Sequence, residues 1–502
     1  MTELIKKVRI MKQDGTFTNY IPLGADAANV KTTNGESVQT ILDKIQQKKV
    51  NCYNSISSID DDVDIGEVFV LENYDTLFTI VSTPTISSLK ISDNRYADVI
   101  STKASLDSLG ITTTIDPTLF IEIITYIRNK GIELILLNKT YNLNNTITLT
   151  NANNIKISGL GNNSNINYTG NDYAFIINTM SNGKLFNFKI TCNGAGGIYF
   201  KDTGSNSQIT LSILDNIKIG SSSNPIKSDT YMNHFNCENC TFTVSTLNGI
   251  GIDFSSVKYP DSITIDKNII EYSGSATNNE SRGIYLNNGN IINIINNSID
   301  HFKYGFYMDT LNNTQDTNTI NILQNNFSYI KDTAIYINGR TSSVYEIRNL
   351  AIKDCIVKST TASNYIIHAS YIYGLIIDNI NIAQDAEHLI WLSNCMNGEV
   401  RTVNYDFNEI DQTKNQIGNG INYLYVNAKK TYTIPANGSV NVELGRSTDN
   451  LINFNSYLIT QIGANNSTSG LTVSNYVNAN GKINFTLSNS NSTSVDVFIQ
   501  GF

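Results

Sequence analysis

The sequence predicts an all-β chain built around a parallel β-solenoid. Three observations point there. First, the motif Ile-x-Ile-x-x-Asn-x-Ile recurs without gaps at Ile263–Ile270 and Ile292–Ile299, and as Ile320–Phe327, at spacings of 29 and 28 residues. A fixed period of 20–50 residues is the mark of a repeat architecture. Second, the repeats hold short segments that alternate with period two, punctuated by Asn, Gly and Ser, with no helical segment between them. Third, the composition is extreme: 72 Asn and 70 Ile in 502 residues, 16% charged residues and 6 Pro. That much Asn disfavours helices, where its side chain competes with the backbone, and that much Ile disfavours disorder.

The elements follow in order. Residues 1–50 read as a separate region. VRIMKQDGTFTNYIPLG (8–24) suggests a hairpin turning at Asp14-Gly15, and ESVQTILDKIQQKK (36–49) a helix with Val38, Ile41, Leu42 and Ile45 on one stripe. That stripe can pack on the hairpin or on copies of itself in a coiled coil. Residues 51–110 suggest a small β-rich domain with the acidic run Asp60, Asp61, Asp62, Asp64 and Glu67, which reads as a cation site or a solvated loop. Residues 111–428 form the solenoid. They open on a helix, with Asp116 as N-cap, Pro117 in the first turn and Gly131 as stop, placed to close the end of the β core.

Looser copies of the repeat lie at 213–219, 235–242, 352–357 and 375–382. A second element recurs as Gly197-Ile198-Tyr199-Phe200, Gly283-Ile284-Tyr285-Leu286, Gly305-Phe306-Tyr307-Met308 and Ala334-Ile335-Tyr336-Ile337. Stacked turns lie about 4.8 Å apart, so Asn268, Asn297 and Asn325 are expected to form a structural amide ladder over an Ile-filled interior. Residues 429–502 read as short strands with Asn/Gly/Ser turns, suggesting a small C-terminal β-sandwich.

With 35 basic and 44 acidic residues the net charge is −9, which argues against nucleic-acid and anionic-membrane partners. No apolar run reaches the roughly 18 residues of a transmembrane helix, and MTELIKKVRIMKQDG has no signal-like apolar core. Six cysteines in this length make no disulfide framework. Cys237 and Cys240 have CxxC spacing, but the stretch around them reads as a strand rather than a metal or redox site.

Residues 110–400 resemble the pectate-lyase-like family of right-handed β-helices, in the order helix 117–130, IELILLNKTYNL, ITLTNANNIKISGLG, then coils ending in Gly-Ile-Tyr elements. The head segment Tyr20-Ile21-Pro22-Leu23-Gly24-Ala25-Asp26-Ala27 resembles the attachment segment of tail or baseplate proteins from phages of Gram-positive hosts. The three-part layout resembles a phage tailspike. The resemblance implies a homotrimer, made in the host cytoplasm and carried on the virion tail. Residues 1–50 would bind tail or baseplate proteins, and the solenoid would bind and cleave a cell-surface glycopolymer.

The chemistry left to such a chain is carboxylate chemistry. There is no G-x-S-x-G elbow, phosphate loop or H-E-x-x-H pair. The repeat alignment stacks Glu271 on Asp300, with His301 beside them: an acid/base pair, a divalent-cation site, or solvated surface residues. Arg282 and Lys303 lie near the next corner and can hold a phosphate or carboxylate. Asp309 and Asp316, in the oxygen-rich loop 309–319, are the candidate Ca²⁺ ligands. His234, His368 and His388 read as surface or core residues. Trp391 either stacks on a sugar or packs in the core. The resemblance makes wall teichoic acid, cut by phosphodiester hydrolysis, the first expected substrate. A glycosidase or lyase acting on capsular polysaccharide, and a non-catalytic receptor-binding fibre, are the alternatives.

Overall fold

The computed structural model describes residues 7–8, 21–22, 51–59, 63–71, 76–192, 194, 196–204, 207–221, 223–258, 260–274, 280–310, 317–339, 347–359, 365–382, 388–395, 398–401, 403–406, 416–417, 421–424, 428–444, 457–462, 470–479 and 482–501. The chain divides into two compact units, Met1–Gly110 and Ile111–Phe502.

In the first unit, Lys7–Val8 pairs antiparallel with Ile21–Pro22, as a hairpin over 8–24 requires. Its expected turn, the helix 36–49 and the acids Asp60, Asp61 and Asp62 lie outside the described residues. Asn51–Tyr53, Val68–Leu71, Leu77–Val81, Arg95–Val99 and Lys90–Ser92 form one five-stranded sheet in that order. Phe69 and Phe78 stack across it, with ring centroids 5.3 Å apart, and both are fully buried.

The second unit is a parallel β-solenoid of three long sheets, designated A, B and C. Each coil gives one strand to each. One coil reads Ser262–Asp266 in A, Ile269–Tyr272 in B and Arg282–Leu286 in C. The next reads Ile291–Ile295, Ser298–Asp300 and Tyr304–Asp309. The register joins the repeats as the sequence alignment does: Ile263↔Ile292↔Ile320 in A and Ile270↔Ile299↔Phe327 in B. These side chains are wholly buried. Stacking like on like keeps each coil's cross-section constant, and a fully buried Ile contributes about 1.5–3 kcal/mol.

The A–B turn explains the asparagines. Its first residue is left-handed in coil after coil (Asn187, Asn216, Asn239, Lys267, Asn296, Gln324, Asp354 and Asn379, φ 50–61°). Asn tolerates that conformation best among non-glycine residues. The next residue points inward, and there the ladder stands. Asn297 Nδ2 donates to Asn325 Oδ1 (3.0 Å) and Ile265 O (2.9 Å), while Asn297 Oδ1 accepts from Asn268 N (2.9 Å) and Nδ2 (3.0 Å). Cys240 and Cys355 occupy the same turn position on the coils at either end, and Cys240 N donates to Asn268 Oδ1 (2.8 Å).

Helix α1 (Pro117–Lys130) is capped by Asp116, which accepts from Leu119 N at 2.8 Å, and stopped by left-handed Gly131 (φ 67°). It buries Phe120, Ile123, Ile124, Tyr126 and Ile127, and Phe120 meets Phe175 of the solenoid interior. Those apolar contacts close the first coil's core to water. Sheet B runs on past the expected boundary at 429. Ala428–Ile434 pairs parallel with Val403–Asp406 and antiparallel with Val495–Gly501, which in turn pairs with Tyr457–Ile462. A second antiparallel sheet holds Ser439–Leu444, Lys482–Asn489 and Leu471–Ala479. Among the described residues no helix is long and apolar enough to cross a membrane.

Candidate functional site

The outer face of sheet C carries the most distinctive side chains. The Gly-Ile-Tyr element forms its strands, and each residue type has a reason. A Cβ on Gly283 would press on Ile299 Cγ2 and the Gly305 carbonyl, and one on Gly305 on the Phe327 ring, so the corner accepts almost no side chain there. Ile284, Phe306 and Ile335 point inward and are fully buried. Period two then sends the tyrosine outward.

Register stacks the outward residues in one column: Tyr199, Lys227, Asp253, Tyr285, Tyr307, Tyr336, His368 and Trp391. From Tyr285 to Trp391 every rung is aromatic, and the next register partner is Gln416. Centroids are 5.0 Å apart for Tyr285–Tyr307, 4.6 Å for the parallel Tyr307–Tyr336 pair, 4.5 Å for Tyr336–His368 and 3.9 Å for His368–Trp391. Tyr304 and Tyr365 flank it. Burial raises the pKa of Tyr285, Tyr304, Tyr307 and Tyr336, so their hydroxyls stay protonated and can donate hydrogen bonds. Burial lowers His368 to about 4, which makes it a neutral ring at pH 7.

Two residues on, register stacks a polar column of Asp309, Asn338, Ser370 and Ser393, and Asp229, Ser255 and Asn287 hold the same sequence offset on the coils before it. Where the aromatic column meets its charged end, Tyr285, Ser255, Lys258, Asn287, Asn288 and Asp309 line a cavity of about 280 Å³. Asp253 is buried nearby. Its Oδ2 accepts from Asn224 Nδ2 (2.9 Å) and its Oδ1 from Ser255 Oγ (2.6 Å). Asp253 is the register neighbour of Tyr285, and Asp309 lines the same cavity as Tyr285; after burial, the Arg282 charge lowers the Tyr285 hydroxyl's pKa and those of the two carboxylates raise it. Asp229 accepts from the Tyr199 hydroxyl and from Asp202 N, and Lys258 is paired with Asp202.

The residues expected from sequence fall on two faces. Glu271 and Asp300 are register partners on sheet B, and His301 Nδ1 lies 2.9 Å from Asp300 Oδ2 while its ring stacks on Tyr329. Arg282 starts a sheet C strand. Its guanidinium lies over Tyr307 (4.5 Å), Tyr285 (4.8 Å) and Tyr304 (5.6 Å), and is 4.0 Å from Glu280. Lys303 pairs with Glu280 and reaches Asp332 at 3.8 Å. Among the described residues no ion pair joins Glu271 or Asp300 to Arg282 or Lys303. Asp309 lies on sheet C, and Asp316 lies outside the described residues.

For Ca²⁺, the donor set around Asp309 is oxygen-rich but holds a single carboxylate, and among the described residues no three His, Cys, Asp or Glu side chains gather. Such a set fits a tight Ca²⁺ site poorly. Cys237 and Cys240 are buried inside the coils, and burial raises the Cys237 thiol well above the usual value, which is unlike a metal-binding thiolate.

Sequence reading did not assemble the aromatic column, although its signal was present. The third residue of each Gly-Ile-Tyr element is a tyrosine, and period two places it on the outer face. The continuation to His368 and Trp391 had no Gly-Ile-Tyr signature to mark it.

No family model matches the chain, and no curated protein matches it. Solved structures similar to it include the tailspike protein gp49 from Acinetobacter baumannii bacteriophage Fri1, a capsular polysaccharide depolymerase. It is 10% identical, with 90% of this chain and 98% of that chain covered, at a TM-score of 0.42. The gp42 tailspike of Acinetobacter phage vb_AbaP_AS12 is 11% identical, covering 76% of this chain and 74% of that one at 0.45. The tailspike gp49 from Pseudomonas phage LKA1 is 10% identical, covering 74% and 67% at 0.36.

Proposed function

We propose that the protein is a phage tailspike that binds a bacterial surface polysaccharide along sheet C and cleaves its glycosidic bonds. The aromatic column carries the reading. Rings repeating once per coil and stacked on one another form a continuous apolar strip with protonated hydroxyls along it, which offers what a chain of sugar rings needs: apolar surface to lie against and hydrogen-bond donors beside it. Lys303 is paired with Glu280 and Arg282 lies over tyrosine faces, which favours a glycosidic over a phosphodiester linkage. Wall teichoic acid is the second substrate to test.

Cleavage needs two carboxylates. Asp253 and Asp309 stand at the end of the aromatic column. Glu271 and Asp300, with His301, are the alternative pair on sheet B. The calcium proposal rests on Asp309 alone among the described residues. Homotrimer assembly and tail attachment through residues 1–50 belong to the same proposal.

The test is fragment release. Capsular polysaccharide and purified teichoic acid are incubated with the protein, with Ca²⁺ and with chelator. New reducing ends from polysaccharide are the expected result. Asp309→Asn abolishing them while Asp300→Asn spares them would place the chemistry on sheet C. Phosphate-bearing fragments from teichoic acid would restore the phosphodiesterase reading. Binding without fragments would make the protein an adhesin.

A further inference from the structure

We infer that the cavity beside Asp309 is a one-ring subsite that selects an uncharged, donor-rich sugar residue of the polymer. This rests on the reading of sheet C as a glycan-binding face. The cavity is separate from the aromatic column but shares Tyr285 with it, so a chain lying along the rings can turn one residue into it.

Size argues for a single ring. About 280 Å³ is room for roughly nine waters at ~30 Å³ each, far more than a bare cation needs and less than a typical drug-sized pocket. Chemistry argues for a donor-rich, neutral occupant. The Asp309 carboxylate lines the wall as an acceptor, and Asn287 and Asn288, which line it too, each hold a side-chain oxygen shielded from solvent just behind it. Asn288 is 1% exposed, and neither its Oδ1 nor that of Asn287 has a hydrogen-bond partner. A buried oxygen without a partner carries a desolvation penalty. Turning such an amide toward sugar hydroxyls, or toward an N-acetyl N–H, loses no bond at that oxygen and relieves the penalty. An acidic sugar would set its carboxylate against Asp309, and Lys258, the cation at the rim, is already paired with Asp202.

The experiment uses the full chain. Glucose, galactose, N-acetylglucosamine and glucuronic acid are titrated by saturation-transfer NMR, CaCl₂ by calorimetry, and purified capsular polysaccharides in a parallel binding and cleavage assay. The expected result is binding of at least one neutral sugar at least tenfold tighter than glucuronic acid, weakened at least fivefold in Asn287→Ala. Asn287 is only half-buried, so this variant tests the site even if an Asn288 variant fails to fold. Glucuronic acid binding as well as the neutral sugars would overturn the inference. So would neutral-sugar binding indifferent to Asn287→Ala. Ca²⁺ binding lost in Asn287→Ala would overturn it in favour of a cation. Polysaccharide bound and cut with no monosaccharide binding would overturn the subsite alone, whereas no binding of polysaccharide either would overturn the reading of the whole face.

Discussion

Replacing Asn297 by Ala tests whether the amide ladder, rather than the isoleucine stacks alone, holds the coils in register. Asn297 is 1% exposed. Its side chain makes four hydrogen bonds: it donates to Ile265 O and Asn325 Oδ1 and accepts from Asn268 N and Asn268 Nδ2. The truncation does not cost four full bonds. Asn268 Nδ2 keeps Cys237 O, and Asn325 Oδ1 keeps the Asn297 backbone N–H. The Asn268 N–H loses its acceptor in a buried turn, at about 1–3 kcal/mol, and the remaining losses bring the total to about 3–5 kcal/mol.

Coils couple mainly to their neighbours, so the loss should be local. Hydrogen exchange followed by mass spectrometry is therefore a sharper assay than a melting curve. Peptides spanning 265–270 and 294–299 should lose at least about 100-fold in protection, while the helix α1 region is unchanged. The comparison variant is Asn293→Ala, which removes one outward amide bond, from Asn321 Nδ2 at 2.9 Å. Its cost should stay near 1 kcal/mol. If Asn297→Ala loses less than tenfold, or no more than Asn293→Ala, the ladder is incidental and the apolar stacks alone set the register.

The remaining predictions concern the face and its scaffold. Tyr336→Ala removes a ring stacked between Tyr307 and His368 together with its hydroxyl donor, and should weaken polysaccharide binding by about 1 kcal/mol, roughly fivefold in Kd, by calorimetry, with Tyr336→Phe, which keeps the ring and loses the donor, falling between Ala and wild type. An NMR titration should find His368 near 4. Because burial depresses this base below its unfolded value of 6.5, the unfolded chain binds the extra proton first. Stability should therefore fall as pH drops from 6.5 toward 4, and His368→Phe should flatten that slope in denaturant titrations. Gly283→Ala should destabilise by about 2 kcal/mol or more in denaturant titrations, since its Cβ meets Ile299 and the Gly305 carbonyl, whereas Gly220→Ala, with open space around it, should be tolerated.

The sequence alone determined the solenoid, its capping helix and its ladder. A 28–29-residue period with inward Ile at fixed offsets leaves one economical way to bury those side chains: identical coils in register. Helix α1 was legible because Asp116, Pro117 and Gly131 act locally, within one turn of the backbone they cap. The stacking of Glu271 on Asp300 followed from the same period. What the sequence could not decide was which side chains meet across different strands of a coil. Arg282 and Glu271 are eleven residues apart, but the corner between sheets B and C sends them to different faces, and the loop length that sets this corner varies from coil to coil. Likewise Tyr336, His368 and Trp391 share no motif. They form one column because strand register, summed over successive coils, delivers each to the same outward position. The cavity at Asp309 arises the same way, from residues two coils apart whose proximity depends on how the chain closes each turn.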